Sequence, residues 1–138
     1  MNYYTTSDGE RVSQTQINSR LAVAKKGFIE RYVCESCGVN GRTFAAWSHT
    51  ISQKRCKELH KTDLIWLEGN GSWDCHDCHI VFESYKDGRF SHMNNAYERM
   101  VFIAMYDDET FIKRYLCITN ENLKKKLEEL YNQIIKDR

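Results

Sequence analysis

Cys34-Glu-Ser-Cys37 and Cys75-His-Asp-Cys78-His79 are the stretches that decide the fold, because each sets two thiols two residues apart. That spacing lets both thiolates of a pair reach one tetrahedral ion at Zn–S distances of about 2.3 Å. Two such pairs predict a closed four-cysteine site with no coordination position left for water, hence a structural Zn2+ site. Sites of this kind supply roughly 10–16 kcal/mol of apparent binding energy to folding. Cys56 and Cys117 stand at no chelating spacing and are expected to be ordinary core or surface cysteines. Gly38 directly after the first pair permits the sharp reversal that a metal knuckle needs.

Composition bounds what this staple serves. A chain of 138 residues with 41% hydrophobic and 28% charged residues is expected to fold as a single domain over 1–138. A domain of that size buries only about two-thirds of its unfolded surface, so a metal staple adds support that the core alone lacks. The net charge is +1, and any nucleic-acid partner must therefore be held by local clusters and not by a global basic field. No apolar run approaches the ~20 residues of a membrane span, and MNYYTTSDGE has no signal-peptide hydrophobic core. The expectation is a cytoplasmic protein without membrane partners, whose six cysteines serve metal or buried thiols and not three disulfides.

Outward from the cysteines, the chain divides into an N-terminal helix (13–31), a zinc core (32–90) and a C-terminal helical extension (91–138). Ser13 with Gln16 forms a capping box, and Ile17, Leu21, Ala24 and Phe28 make one apolar stripe behind it. Thr43 to Ile51 is aromatic and β-branched and is predicted as a strand ending near His49. Ser52 to Lys61 is predicted as a polar, basic loop, Asp63 to Leu67 as a second short strand, and Gly69-Asn70-Gly71 as a turn. Cys75 to Lys86 is predicted helical, as are Asn95–Tyr106 and Asn120–Lys136. The last has Thr119 as its candidate cap and Leu123, Leu127, Leu130, Tyr131 and Ile134 as its buried stripe.

Three polar residues fall at informative places in this frame. His49 ends the first strand, Asn70 precedes Cys75 by five residues, and His79 follows Cys78 at the start of a helix that zinc would anchor. The order Cys-x-x-Cys, His, Asn, Cys-x-x-Cys-His resembles the HNH endonuclease family over Cys34 to about Glu83. Ser48-His-Thr-Ile-Ser-Gln-Lys-Arg55 and Asp8-Gly-Glu-Arg-Val-Ser-Gln14 are similar to segments of phage-encoded members. The resemblance implies a small α+β fold with a zinc-bound ββα-metal (treble-clef) core and flanking N- and C-terminal helices. It also implies a bacterial or phage-infected host cell as the setting.

The activity it implies is metal-dependent hydrolysis of DNA phosphodiester bonds. His49 would be the general base that activates water, since a neutral imidazole accepts a proton at cellular pH. Asn70 would orient the His49-bearing segment, and His79 would help to hold a catalytic divalent ion such as Mg2+, Mn2+ or Ni2+. Ser48 stands where many family members carry an Asp or His metal ligand. A serine hydroxyl ligates hard divalent ions poorly, and Glu83, one helical turn after His79, could supply the carboxylate instead. Lys54, Arg55, Lys57 and Lys61 follow His49 and are candidate DNA-phosphate contacts. Two alternatives stay open: a non-catalytic zinc-dependent nucleic-acid-binding module, and a dimeric nuclease selective for branched DNA.

Overall fold

Trp47 and Trp73 face each other across an antiparallel ladder that joins β3 (Ala45–His49) to β4 (Gly71–Cys75), with His49 opposite Gly71. The computed structural model describes residues 2–26, 33–38 and 45–137. Side chains alternate along a strand, so the tryptophans and His49 share one face while Ser48, Ser72 and Asp74 share the other. Gly71 is required by close approach: a Cβ there would lie 1.7 Å from the Trp47 indole.

The fold is α+β, with two small two-stranded antiparallel sheets and six α-helices among the described residues. The first sheet pairs β1 (Tyr3–Thr5) with β2 (Arg11–Ser13), and the turn between them contains Gly9 at φ 91°. α1 (Gln14–Lys25) follows at once. Its capping box is formed as expected, with Ser13 Oγ accepting from Gln16 N and Gln16 Oε1 accepting from Ser13 N. Ile17 and Leu21 are buried, whereas Phe28 and the predicted end of the helix lie outside the described residues.

Two expectations about the middle of the chain are corrected. Ser52 to Lys61 is not a loop but carries α2 (Gln53–Glu58), capped by Ser52 Oγ, which accepts from Arg55 N. Asp63–Leu67 is not a strand, because Thr62–Trp66 forms a 3-10 turn instead. Its backbone carbonyls serve side chains and not a ladder, and Asp63 is engaged by Ser7 N and Oγ. The partner of β3 is therefore the less β-like segment Gly71–Cys75, reached through a second 3-10 turn, Glu68–Asn70.

β4 runs directly into α3 (His76–Glu83), which lies against both strands. After 3-10 turns at Tyr85–Asp87 and Arg89–His92 come α4 (Ala96–Tyr106), α5 (Asp108–Tyr115) and α6 (Glu121–Lys136). α5 has no counterpart among the predicted elements; Asp107 caps it by accepting from Thr110 N. Asn120, and not Thr119, caps α6: its Oδ1 accepts from Leu123 N, while Thr119 Oγ1 donates to Gly88 O. One buried cluster runs from Ile17 of α1 through Ile51, Ile65, Phe82 and Ile103 to Leu127 of α6. Among the described residues no helix is long and apolar enough to cross a membrane.

Candidate active site and metal centre

The four cysteines meet where the sequence places them. The Sγ atoms of Cys34, Cys37, Cys75 and Cys78 all lie within 4.8 Å of one another, and Cys37 and Cys75 Sγ are 4.0 Å apart. Tetrahedral thiolates at about 2.3 Å from one ion stand about 3.8 Å apart, so the cluster could hold a metal ion such as zinc. The electrostatics agree with that use. Burial raises the Cys34 thiol, but amide N–H groups of Cys75, Cys37 and Ser36 outweigh it and hold its pKa below the ordinary value. Burial and the neighbouring sulfurs drive Cys78 strongly upward. The Cys34 thiolate is favoured and the Cys78 thiolate resisted, and a divalent cation in the centre would offset the burial that opposes both.

Beside the cysteines, the Ser48 face of the hairpin is closed by Arg99 of α4. Its guanidinium donates to Asp74 Oδ2 at 3.0 Å, Thr50 Oγ1 at 2.9 Å, and Ser48 Oγ and O at 3.0 and 3.1 Å. Asp74 Oδ1 in turn accepts from Ser72 and Ser36, and the latter ties the network to the cysteine knuckle. Asp74 is 0% and Arg99 4% exposed, yet charge and donors are matched. Ser48 is thus turned away from His49 and into this network, and contributes no ligand to the opposite face.

On the opposite face, His49 Nε2 donates to Ile65 O at 2.9 Å, since a carbonyl can only accept. This fixes the neutral tautomer with Nδ1 as the basic nitrogen. Burial lowers the His49 pKa below its usual 6.5 against the pull of the Ile65 carbonyl, and the charges of Lys25 and Arg99 add to the lowering. Asn70, 0% exposed, secures the same corner. Its Oδ1 accepts from Ile51 N at 2.6 Å, its Nδ2 donates to Ile51 O and Leu64 O at 3.0 Å each, and its carbonyl accepts from Thr50 N at 2.8 Å. Asn70 therefore clamps the residues after His49 to the turn whose next carbonyl, Ile65 O, orients the imidazole.

His79 lies near the start of α3. Its Nε2 is 3.1 Å from Glu83 Oε1, and its Nδ1 is buried without a hydrogen-bond partner among the described residues. His49, His79 and Glu83 line one cleft of about 580 Å3. Of the four predicted basic contacts, only Lys54 stands at this cleft exposed and without an ion-pair partner among the described residues. Arg55 also lines it but is bound to Asp107 at 2.8 Å and Glu109 at 3.2 Å, which holds its pKa well above the ordinary value. Lys57 donates to Gln14 Oε1 and sits over Tyr4, and Lys61 donates to Tyr106 O. The cleft also gains Lys113 and Arg114 from α5, which the sequence alone did not single out.

No protein-family profile, curated protein or solved structure matches the chain. Arg99 and Arg114 carry no sequence signal of their own, because each lies beyond the cysteine-bounded stretch. The signal that bears on α5 is Asp107-Asp-Glu-Thr110, an N-cap residue followed by acids in a first helical turn.

Proposed function

We propose that the chain is a metal-dependent endonuclease of the HNH type that hydrolyses DNA phosphodiester bonds on a treble-clef-like zinc core. The observation that carries this reading is the paired corner in which Asn70 holds Leu64 O and Ile51 while Ile65 O fixes the His49 tautomer. A histidine serving only the core has no need of a buried asparagine that immobilises the segment next to it. A general base does, because proton transfer depends on a fixed direction.

In this reading His49 Nδ1 takes a proton from water as the oxygen attacks phosphorus, and the bond to the leaving 3′-oxygen breaks. The depressed pKa keeps the base unprotonated at neutral pH. General-base catalysis of this kind contributes roughly 10²–10⁴-fold. His79 and Glu83 are the residues that would hold a divalent ion: their 3.1 Å separation fits two adjacent ligands at about 2.1 Å from an octahedral ion. Such an ion, when bound, supplies charge neutralisation on the phosphoryl oxygens and on the leaving group. Two protein ligands suit Mg2+, which keeps several waters and takes substrate phosphates as further ligands.

Supercoiled plasmid tests the function. Protein with its zinc retained is expected to relax plasmid on addition of Mg2+, Mn2+ or Ni2+, giving nicks that a ligase reseals, as 5′-phosphate and 3′-hydroxyl ends require. Ser48 supports a second reading: with its side chain committed to Arg99, the site lacks the usual third ligand. Intact plasmid and intact branched DNA under all three metals, with duplex binding retained, would favour this second reading, a zinc-bearing binding module.

A further inference from the structure

We infer that Arg114 is an anion-binding residue of the cleft, poised for a phosphoryl oxygen of the nucleic-acid backbone. That the anion is a backbone phosphate rests on the nuclease reading; that an anion binds there does not.

Two arginines are stacked on Phe82, with guanidinium carbons 3.4 Å (Arg99) and 3.9 Å (Arg114) from the ring centroid. Two planar cations at such heights cannot share one face of the ring, so Phe82 separates them. Both are buried, and burial lowers the pKa of each to about 10, leaving both charged at neutral pH. Their partners differ. Arg99 has the carboxylate of Asp74 and three further oxygens.

Arg114 is 8% exposed, and its side chain has one hydrogen bond among the described residues, from Nη1 to Phe82 O at 2.9 Å, and the rings of Phe82, Tyr85 and Phe90. No carboxylate pairs with it among the described residues. A guanidinium taken out of water without a counter-ion is costly, and aromatic faces return only part of the loss. Its Nε and Nη2 have no protein acceptor among the described residues, and neither is sealed from solvent. That free edge is the two-donor fork that binds phosphate oxygens side by side. The cleft it lines is the one that holds His49 and His79, with exposed Lys54 beside it and also Lys113, which is paired with Glu109 at 3.2 Å. A purely structural cation–π staple would bury the fork or cap it with a carboxylate, as happens to Arg99.

The test compares wild type, Arg114→Gln and Arg114→Lys, each zinc-loaded, in plasmid nicking and in duplex binding without added divalent ion. In parallel, the Arg114 Nε–H resonance of the wild type is followed by NMR on adding inorganic phosphate. Loss of about 10²-fold in nicking by Arg114→Gln, a salt dependence shallower by about 0.9, and partial rescue by lysine are expected. A folded Arg114→Gln protein that nicks and binds like wild type overturns the inference and leaves the nuclease standing. If the wild type cleaves nothing, the nuclease reading falls and the resonance decides: a saturable shift upholds the anion site, and an unmoved one overturns it. The resonance needs no substitution, so if a variant fails to fold, the phosphate titration of the wild type still upholds or overturns the inference.

Discussion

On one face of the β3–β4 hairpin, Ser48, Ser72 and Asp74 are closed over by Arg99, and every buried charge has its partner. On the other, His79 Nδ1 lacks a partner among the described residues, the Arg114 fork is uncapped, and His49 keeps a basic nitrogen at an open cleft. Strand alternation alone sends neighbouring residues to these two fates. A matched polar network fixes geometry but has nothing left to offer a ligand. Unmatched groups cost stability and persist where a ligand completes them. On the proposed nuclease reading, the first face is scaffold and the second carries the chemistry.

Asp74→Ala should show the largest stability difference between the faces. It strands the Arg99 guanidinium at 4% exposure, and urea unfolding should register a loss of about 3–5 kcal/mol. His49→Ala, on the open face, strands no charge and should cost less, about 1–3 kcal/mol, because it leaves only the buried Ile65 carbonyl without its partner. Equal losses would erase the distinction between the two faces.

Asn70→Ala sharpens the comparison, since Asn70 belongs to the open face yet is fully satisfied. Leaving Ile51 N and the Leu64 carbonyl without their partner should cost about 1–3 kcal/mol. Nicking should fall in the same variant at temperatures where it remains folded, because the base loses its direction. A folded Asn70→Ala protein with wild-type nicking would remove Asn70 from any positioning role.

The smallest effect is in pH. A histidine whose folded pKa lies below 6.5 binds its proton more readily when unfolded. Its contribution is therefore full above pH 6.5 and is lost as pH falls from there through the folded value. Nicking should follow the same group, rising with pH to a plateau with an inflection below 6.5. An inflection above 6.5 that His49→Ala leaves in place would point to another base.

The open face was the more legible one in the sequence. Cys34 to His79 spans short, fixed spacings, so the cysteine cluster and the strand end at His49 follow from local order, while the place of Asn70 beside His49 follows from the resemblance to the HNH family and not from spacing. Long-range pairing was not legible. Arg99 reaches Ser48 across 51 positions, and Arg114 reaches Phe82 across 32. Asp63–Leu67 misled for a related reason. Leu64 and Ile65 are buried as a core strand's residues would be, but their carbonyls are claimed by Asn70 and His49. α2 was hidden by polar composition, although Ser52 is an ordinary helix cap.

The most direct measurement is plasmid nicking by wild type and His49→Ala side by side, both zinc-loaded, over a titration of Mg2+ and Mn2+. A metal-dependent nuclease using His49 predicts relaxation by the wild type and a loss of roughly 10²–10⁴-fold in the variant. Equal nicking by the two proteins would contradict it.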